Sequence, residues 1–550
     1  MTELAELVSG LMEGLVLMGM ALAIGGVGYA LVVLRLPINP SPVVTSIGQE
    51  TFRVASAGAA VVAGLRLVEF LVLKPLAYAE DSGRWELGAL AQTQAFRFGL
   101  LSIALAALLG GSLAWLRRDI AGRPRWVMVC LLAAAVVVNE ASLTHAVSRV
   151  GPSGLLIAAT VTHMAGAALW VGGIAHLLLS RHRPRKPQAA QLWPELVARF
   201  SWLGIASMVL VVGPGLYLAL RYVGNWSGLV GTGYGTVLVA KVLLLACVVI
   251  LAGLNHVAAR QWQRTREVGS LMQRAPAYIE VEVAFAAALL FTAASLSSFP
   301  PAVDVVNDRV APAEMWLMFN PKVPHLSGPE TILWERPELT DPRTGEVGYE
   351  VNRSWDRFHH NMCGLFVMIA AALAFLGQLR RAPWTRHWPL LFLAFGMYFF
   401  VFGDPSYFPF GELGFVESVQ SPGVVQHWFL ASMMAGVGWF EWRTRQEGFA
   451  HSHWRYLFPV ACLASGIVLL AHSHSLYRLR TEYLTLATHV AIGAAVVIVG
   501  CARWLELRSS PPVERIAGLT AAGALFLVGI ILLFYVDPED TLTWERLRKL

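Results

Sequence analysis

The sequence predicts an all-α polytopic integral membrane protein with about fourteen transmembrane helices, eight followed by six. Three observations predict it. The 550 residues are 56% hydrophobic and 14% charged, whereas a soluble globular chain carries about 25% charged residues. Apolar runs of about 20 residues, each long enough to cross a hydrocarbon core as a helix, recur along most of the length. Lys and Arg collect in short loops at alternate connections, which is how such chains set their orientation. The net charge of +6 belongs to those loops and does not point to nucleic acid.

The first apolar run, 11–34, follows the acidic start Met-Thr-Glu-Leu-Ala-Glu. A secretory signal needs a basic start and a small-residue cleavage site, so this run reads as a retained helix. Spans 53–73, 96–116 and 126–144 follow, the last two joined by the basic loop 117–125. Spans 154–179 and 201–222 flank the basic stretch 180–199. Gly213-Pro214-Gly215 should kink the second of these and free carbonyl groups. Spans 235–258 and 279–299 enclose the basic loop 259–274. Then come 360–378, 388–403, 425–441, 455–474, 485–503 and 515–535, with basic loops at 379–387, 442–455 and 503–515. The basic loops alternate to one side, the cytoplasmic one, so both termini are expected outside, in the periplasm of a bacterial inner (plasma) membrane. The expected domains are 1–299, an eight-helix membrane domain; 300–358, a Pro-rich polar periplasmic loop; and 359–550, a six-helix His-rich membrane domain. The five cysteines lie in apolar segments and give no disulfide framework.

The last third of the chain places His359, His360, His427, His472, His474 and His489 at span ends on the outer side. The span near 360 opens His359-His360-Asn361-Met362-Cys363-Gly364, and both histidines share a helical face with Cys363, at i,i+4 and i,i+3. Imidazole beside thiol favours soft ions: Cu(I) above all, with Cu(II), zinc and haem iron also served by imidazole. A bundle converging ligands from several helices suits a metal centre; the bland alternative is an interfacial belt of His and Trp. His472 and His474 are i,i+2 and point apart within a helix. In the long loop, Met315 and Met318 at i,i+3, with His325, form either a copper-capture segment or an amphipathic segment on the membrane surface.

In the first half, His163-Met-Ala-Gly-Ala-Ala-Leu-Trp170-Val-Gly172-Gly173 is followed by Arg199-Phe200-Ser201, Gly215-Leu216-Tyr217, Gly231-Thr-Gly-Tyr234-Gly235…Lys241, Leu254-Asn255-His256 and Glu280/Glu282…Pro300-Pro301. In this order the motifs closely resemble the copper-resistance D (CopD/PcoD) family, firmly over residues 140–302 and loosely over the earlier spans. The C-terminal region resembles the extended tail of long members, on Gly403-Asp404-Pro405, Gln426-His427 and Glu441-Trp442. The resemblance implies an inner-membrane component of copper uptake or resistance.

Read physically, Gly172 and Gly173 let another helix approach closely. His145, His163, Glu140 and Glu69 are ionisable groups in or beside spans and are candidates for a transport pathway. Alternatively His163 hydrogen-bonds a neighbouring helix, and Glu69 and Glu140 pair with Arg66 or cap loops. His176, His182 and His256 fall at the basic side and read as interfacial.

No P-loop, dinucleotide fingerprint, aspartyl-phosphate motif or C-x-x-C-H is present, so an ATP-driven pump and c-type haem attachment find no support. The expected function is therefore that of a copper-handling membrane transporter rather than an enzyme, receiving copper from a periplasmic donor or chaperone. The alternatives are a b-type haem electron-transfer protein and a copper-delivery factor for an oxidase.

Overall fold

A computed structural model describes residues 2–536 apart from 37–40, 86, 121, 145–153, 183–186, 327–348, 380–381, 405–406, 410, 412, 421, 447–451 and 472–482. Among the described residues the regular structure is helical throughout, with no strand. This is what a lipid environment demands, since a helix satisfies its own backbone groups. Each expected segment holds a helix. In the first half these are α1 Thr2–Gly28, α2 Pro42–Val68, α3 Gln94–Arg118, α4 Arg123–Leu143, α5 Gly154–His182, α6 Pro187–Val223, α7 Gly233–Thr265 and α8 Ser270–Ser298. In the second half they are α9 Tyr349–Gln378, α10 Leu390–Phe402, α11 Pro422–Thr444, α12 Leu457–Ala471, α13 Tyr483–Arg508 and α14 Val513–Leu533.

Twelve of the described helices are long and apolar enough to cross a membrane. The two outside this set are α10 and α11. The 13 residues of α10 reach about 20 Å, short of a hydrocarbon core of about 30 Å. α11 is long enough at 23 residues, but Gln426, His427, Glu441 and Arg443 dilute its apolar character.

The contacts define two compact units. One holds the chain up to Arg309 with Leu470 and Ala471; the other holds Val310–Leu469 and the helices from Tyr483 onward. In the first unit, α1 packs on α2, α5 and α8, and α7 packs on α8. Several helices start on side-chain caps, as at Ser41, Thr93 and Thr232, whose hydroxyls accept from the amides of Val44, Phe96 and Gly235; such caps satisfy donors that a helix N-terminus leaves open.

Arg66 is the polar centre of this unit. It is buried, and its guanidinium reaches Glu13 and Glu69 at 2.8 and 2.6 Å through Nη1, and Glu140 at 2.6 Å through Nη2. The Ser102 hydroxyl donates to the other oxygen of Glu140. The pairing of Glu69 and Glu140 with Arg66 is thus the structural alternative the sequence offers, with Glu13 added from α1.

In the second unit, Val367, Ala370, Ala371, Trp388, Phe458, Ile492, Val499, Leu525 and Val528 form the core. At one end of this unit Glu441 accepts from Arg445 at 2.8 Å and Arg503 at 2.9 Å, Arg503 also pairs with Glu506, and Gln378 donates to Glu506. These residues adjoin the basic loops 379–387, 442–455 and 503–515. Their convergence agrees with the alternation of charge that places those loops on one side.

The other end is tied by Asn361, which is 1% exposed. Its Oδ1 accepts from the His325 amide at 2.7 Å, and its Nδ2 donates to the carbonyls of Leu532 and Tyr535. Asn361→Ala removes three hydrogen bonds at once, from the His325 amide and the Tyr535 and Leu532 carbonyls, of which the last still accepts from the Tyr535 amide. The expected loss is about 1–3 kcal/mol, read as a lower thermal unfolding midpoint in detergent.

Candidate functional site

The end of the second unit marked by Asn361 carries His359 and His360 on α9 and His427 on α11. Residues 359 and 360 are neighbours on α9, so their side chains leave the helix about 100° apart. His359 meets the edge of Phe399 on α10, with ring centres 5.3 Å apart. His360 turns to the other side and stacks on Tyr535 at 4.2 Å. His427, on α11, lies 5.6 Å from the same Phe399. His359 and His427 are thus brought to one aromatic ring, while His360 faces the end of α14.

His427 Nδ1 donates to the Asp404 carboxylate, 3.0 Å from each oxygen. His489, one turn into α13, donates from Nδ1 to the Thr485 carbonyl at 2.7 Å. Cys363 packs against the core of the unit, where Gly364 beside it leaves no room for a Cβ, which would stand 2.1 Å from the Leu533 amide. His472 and His474 lie outside the described residues. Among the described residues, no group of three His, Cys, Asp or Glu side chains is close enough to hold a metal ion. Among the described residues the second unit presents oriented single imidazoles. Met315 packs on Val310, Tyr483, Leu484 and Ala487. The Met318 side chain lies outside the description, and His325 holds Asn361 through its backbone.

In the first unit, Pro214 lies inside α6, between Gly213 and Gly215. Pro214 has no N–H and disturbs the ladder in α6, and His163 of α5 donates from Nδ1 to the Val211 carbonyl at 2.8 Å. Gly215 makes space for that ring: a Cβ there would stand 3.0 Å from it. His145 lies outside the described residues.

His176 differs from the interfacial reading. It is 1% exposed, with Nε2 on the Leu22 carbonyl at 2.9 Å and its ring stacked on Tyr29. It is buried because α1 offers a carbonyl partner and Gly26 leaves room for the imidazole. His256 bonds Ser201 at 2.6 Å; the His182 side chain is outside the description.

Three candidate histidines, His163, His427 and His489, share one pattern. Each gives its Nδ1–H to an oxygen, which sets the tautomer with the lone pair on Nε2. A metal-binding imidazole is oriented in this way by a carboxylate or backbone carbonyl behind it.

A further cluster joins motif residues from three helices. Trp170 Nε1 of α5 donates to Glu282 Oε1 of α8 at 3.1 Å, and Asn255 Nδ2 of α7 donates to Oε2 at 3.0 Å. Glu282 is 2% exposed. The sequence showed these residues only as separate motifs; the signal for their meeting was a carboxylate set within an apolar run.

The fold and these sites define the class: a polytopic α-helical membrane protein with buried, oriented polar groups. Residues 194–296 match the family model of copper resistance protein D. The match covers α6 from its second turn, all of α7 and nearly all of α8. The chain is also similar to the copper transport protein CutJ of Bacillus subtilis (strain 168), with 30% identity over 139 residues. That similarity covers 25% of this chain and 24% of CutJ. No solved structure matches.

Proposed function

We propose that this protein carries copper across the bacterial inner membrane, with the first unit as the passage and the histidines at the Asn361 end of the second unit as the periplasmic entry. The observation that carries the reading is the copper resistance D segment, 194–296, whose α6 carbonyl orients His163 inside the span. The copper transport name of the partial relative supports it. Copper is the substrate here, so single imidazoles serve better than a closed cage, because an ion held too tightly does not leave. His359, His360, Cys363, His427 and His489, with His472 and His474, are the proposed acceptors from a periplasmic donor. His163 is the proposed deeper station, with His145 before it. Glu69 and Glu140 serve the Arg66 pairing.

Cells expressing the protein are expected to change their copper content and tolerance, and His163→Ala with His360→Ala to return both to the level of cells lacking it. Unchanged copper handling in that double variant overturns the reading. Asp404→Asn keeps the His427 ring but loses the carboxylate behind it. It is expected to weaken copper binding at this end about 10–100-fold, measured by equilibrium competition with a Cu(I) chelator on the purified protein.

A further inference from the structure

Glu282 sits near the middle of α8, and its carboxylate accepts from two neutral donors, the Trp170 indole and the Asn255 amide. Among the described residues no cationic side chain pairs with it. The amide oxygen of Asn255, a residue 8% exposed, is buried without a hydrogen-bond partner. An uncompensated carboxylate inside a span is expensive, and an orphaned acceptor beside it adds to the cost. Both lack the same thing, a hydrogen to accept or carry.

We infer that Glu282 is a reversible proton-binding site and that the Asn255 amide is its two-position partner. The oxygen that takes the proton follows from donor chemistry. Indole N–H can only donate, so Trp170 stays on Oε1. Asn255 carries both a donor and an acceptor, so its partner, Oε2, takes the proton. With Glu282 ionised, Nδ2–H donates to Oε2, as in the structure. With Oε2 protonated, a new O–H bond points at the amide, which turns over so that Oδ1 accepts. On release the proton passes from Oε2 to the solution whose pH is titrated, and the amide turns back. Either orientation leaves one amide group unpartnered, so neither is locked.

A copper ion fits this place poorly. One carboxylate and one amide oxygen are hard donors, and soft copper selects sulfur and imidazole.

The titratable groups on the helices packed against α8 are engaged elsewhere or stand at a distance along their helices; Arg181 of α5 lies over Trp193. From α5, His163 holds the Val211 carbonyl and His176 that of Leu22. From α7, His256 holds Ser201, Tyr234 packs on Tyr222, and Arg260 lies over Trp202; Cys247 and Lys241 are about 12 and 21 Å along the axis from Asn255, and Arg264 is in the last turn. From α1, Glu13 holds Arg66. On α8 itself Tyr278 is one turn away, and Arg274 and Glu280 have contacts of their own.

The test is infrared difference spectroscopy of the purified full chain in lipid during a pH titration. A protonated-carboxyl band that titrates in the wild type and disappears in Glu282→Gln is expected. Asn255→Ala, which keeps Glu282 and removes its partner, is expected to move the midpoint by about one pH unit. A titration unchanged in Glu282→Gln, or a midpoint unmoved in Asn255→Ala, overturns the proposal. So does a band that follows sodium concentration at fixed pH.

A second arm rests on the copper-carrier reading: copper flux into proteoliposomes is expected to depend on an imposed pH gradient, and to lose that dependence in Glu282→Gln. Wild-type liposomes without copper flux would remove the carrier reading while the infrared titration stands. Flux with no gradient dependence removes the coupling.

Discussion

Arg66→Ala is expected to cost about 3–5 kcal/mol, because it leaves buried carboxylates without their countercharge. The Arg66 side chain is 4% exposed and that of Glu140 1%. Glu140 keeps only its Ser102 contact when the guanidinium goes. Three carboxylates share one guanidinium, so they also crowd one another, and the effects of the variants should be ordered. Glu140→Gln loses the deepest pairing and should cost more than Glu69→Gln. Glu69 is 22% exposed, and its neutralisation relieves like-charge crowding while Glu13 and Glu140 remain, so a change below about 1 kcal/mol is expected there. Arg66→Lys restores charge but not the fork that reaches three carboxylates, and should rescue only in part. Thermal unfolding in detergent and the yield of monodisperse protein check the order. A stable, well-folded Arg66→Ala variant would show that the cluster is no support of the fold.

Much of this architecture is legible in the sequence because a membrane simplifies the problem. An apolar run of about 20 residues has to be a helix, and the spans appear where those runs fall. The charge alternation anticipates that residues beside 379–387, 442–455 and 503–515 meet at one end, as Gln378, Glu441, Arg445, Arg503 and Glu506 do. Pro214 withholds the N–H that the Leu210 carbonyl would otherwise accept, and His163 donates to the neighbouring Val211 carbonyl. Helix rotation is what the sequence does not carry. Histidines at one depth look alike in a linear chain, yet His359 faces α10 and His360 faces α14. Among the described residues, sharing a helix end therefore does not by itself bring imidazoles to one point. Convergence across helices is equally hidden: nothing local in Trp170, Asn255 or Glu282 says that they share a hydrogen-bonded site. His176 shows the same limit from the other side, since its burial depends on a carbonyl that α1 supplies.

The steepest steric effect is expected at Gly172, where α1 and α5 touch through their backbones. A Cβ on Gly172 would lie 1.8 Å from the Ala21 carbonyl oxygen and 2.8 Å from the Gly25 Cα, and a Cβ on Gly25 would lie 2.4 Å from the Gly172 Cα. No side chain can yield there; the helices themselves must part. Separation would also strain the bonds that knit the pair beyond the contact, His176 to Leu22 and Tyr29 to Ser180, each 2.9 Å. Gly172→Ala should therefore sit at the upper end of the overpacking range of about 1–3 kcal/mol, and Gly172→Val beyond it. The adjacent Gly173 tests the reasoning, because its Cβ would meet the ring of Phe200 at 2.8 Å, a side chain that can shift; Gly173→Ala should cost less. Gly253, with nothing within 4 Å of its Cβ, should tolerate alanine within about 1 kcal/mol, since helix propensity favours alanine there. Thermal unfolding of the four variants should rank them Gly172→Val, Gly172→Ala, Gly173→Ala, Gly253→Ala. Equal midpoints for Gly172→Ala and Gly253→Ala would mean that the backbone contact between α1 and α5 does not hold the first unit together.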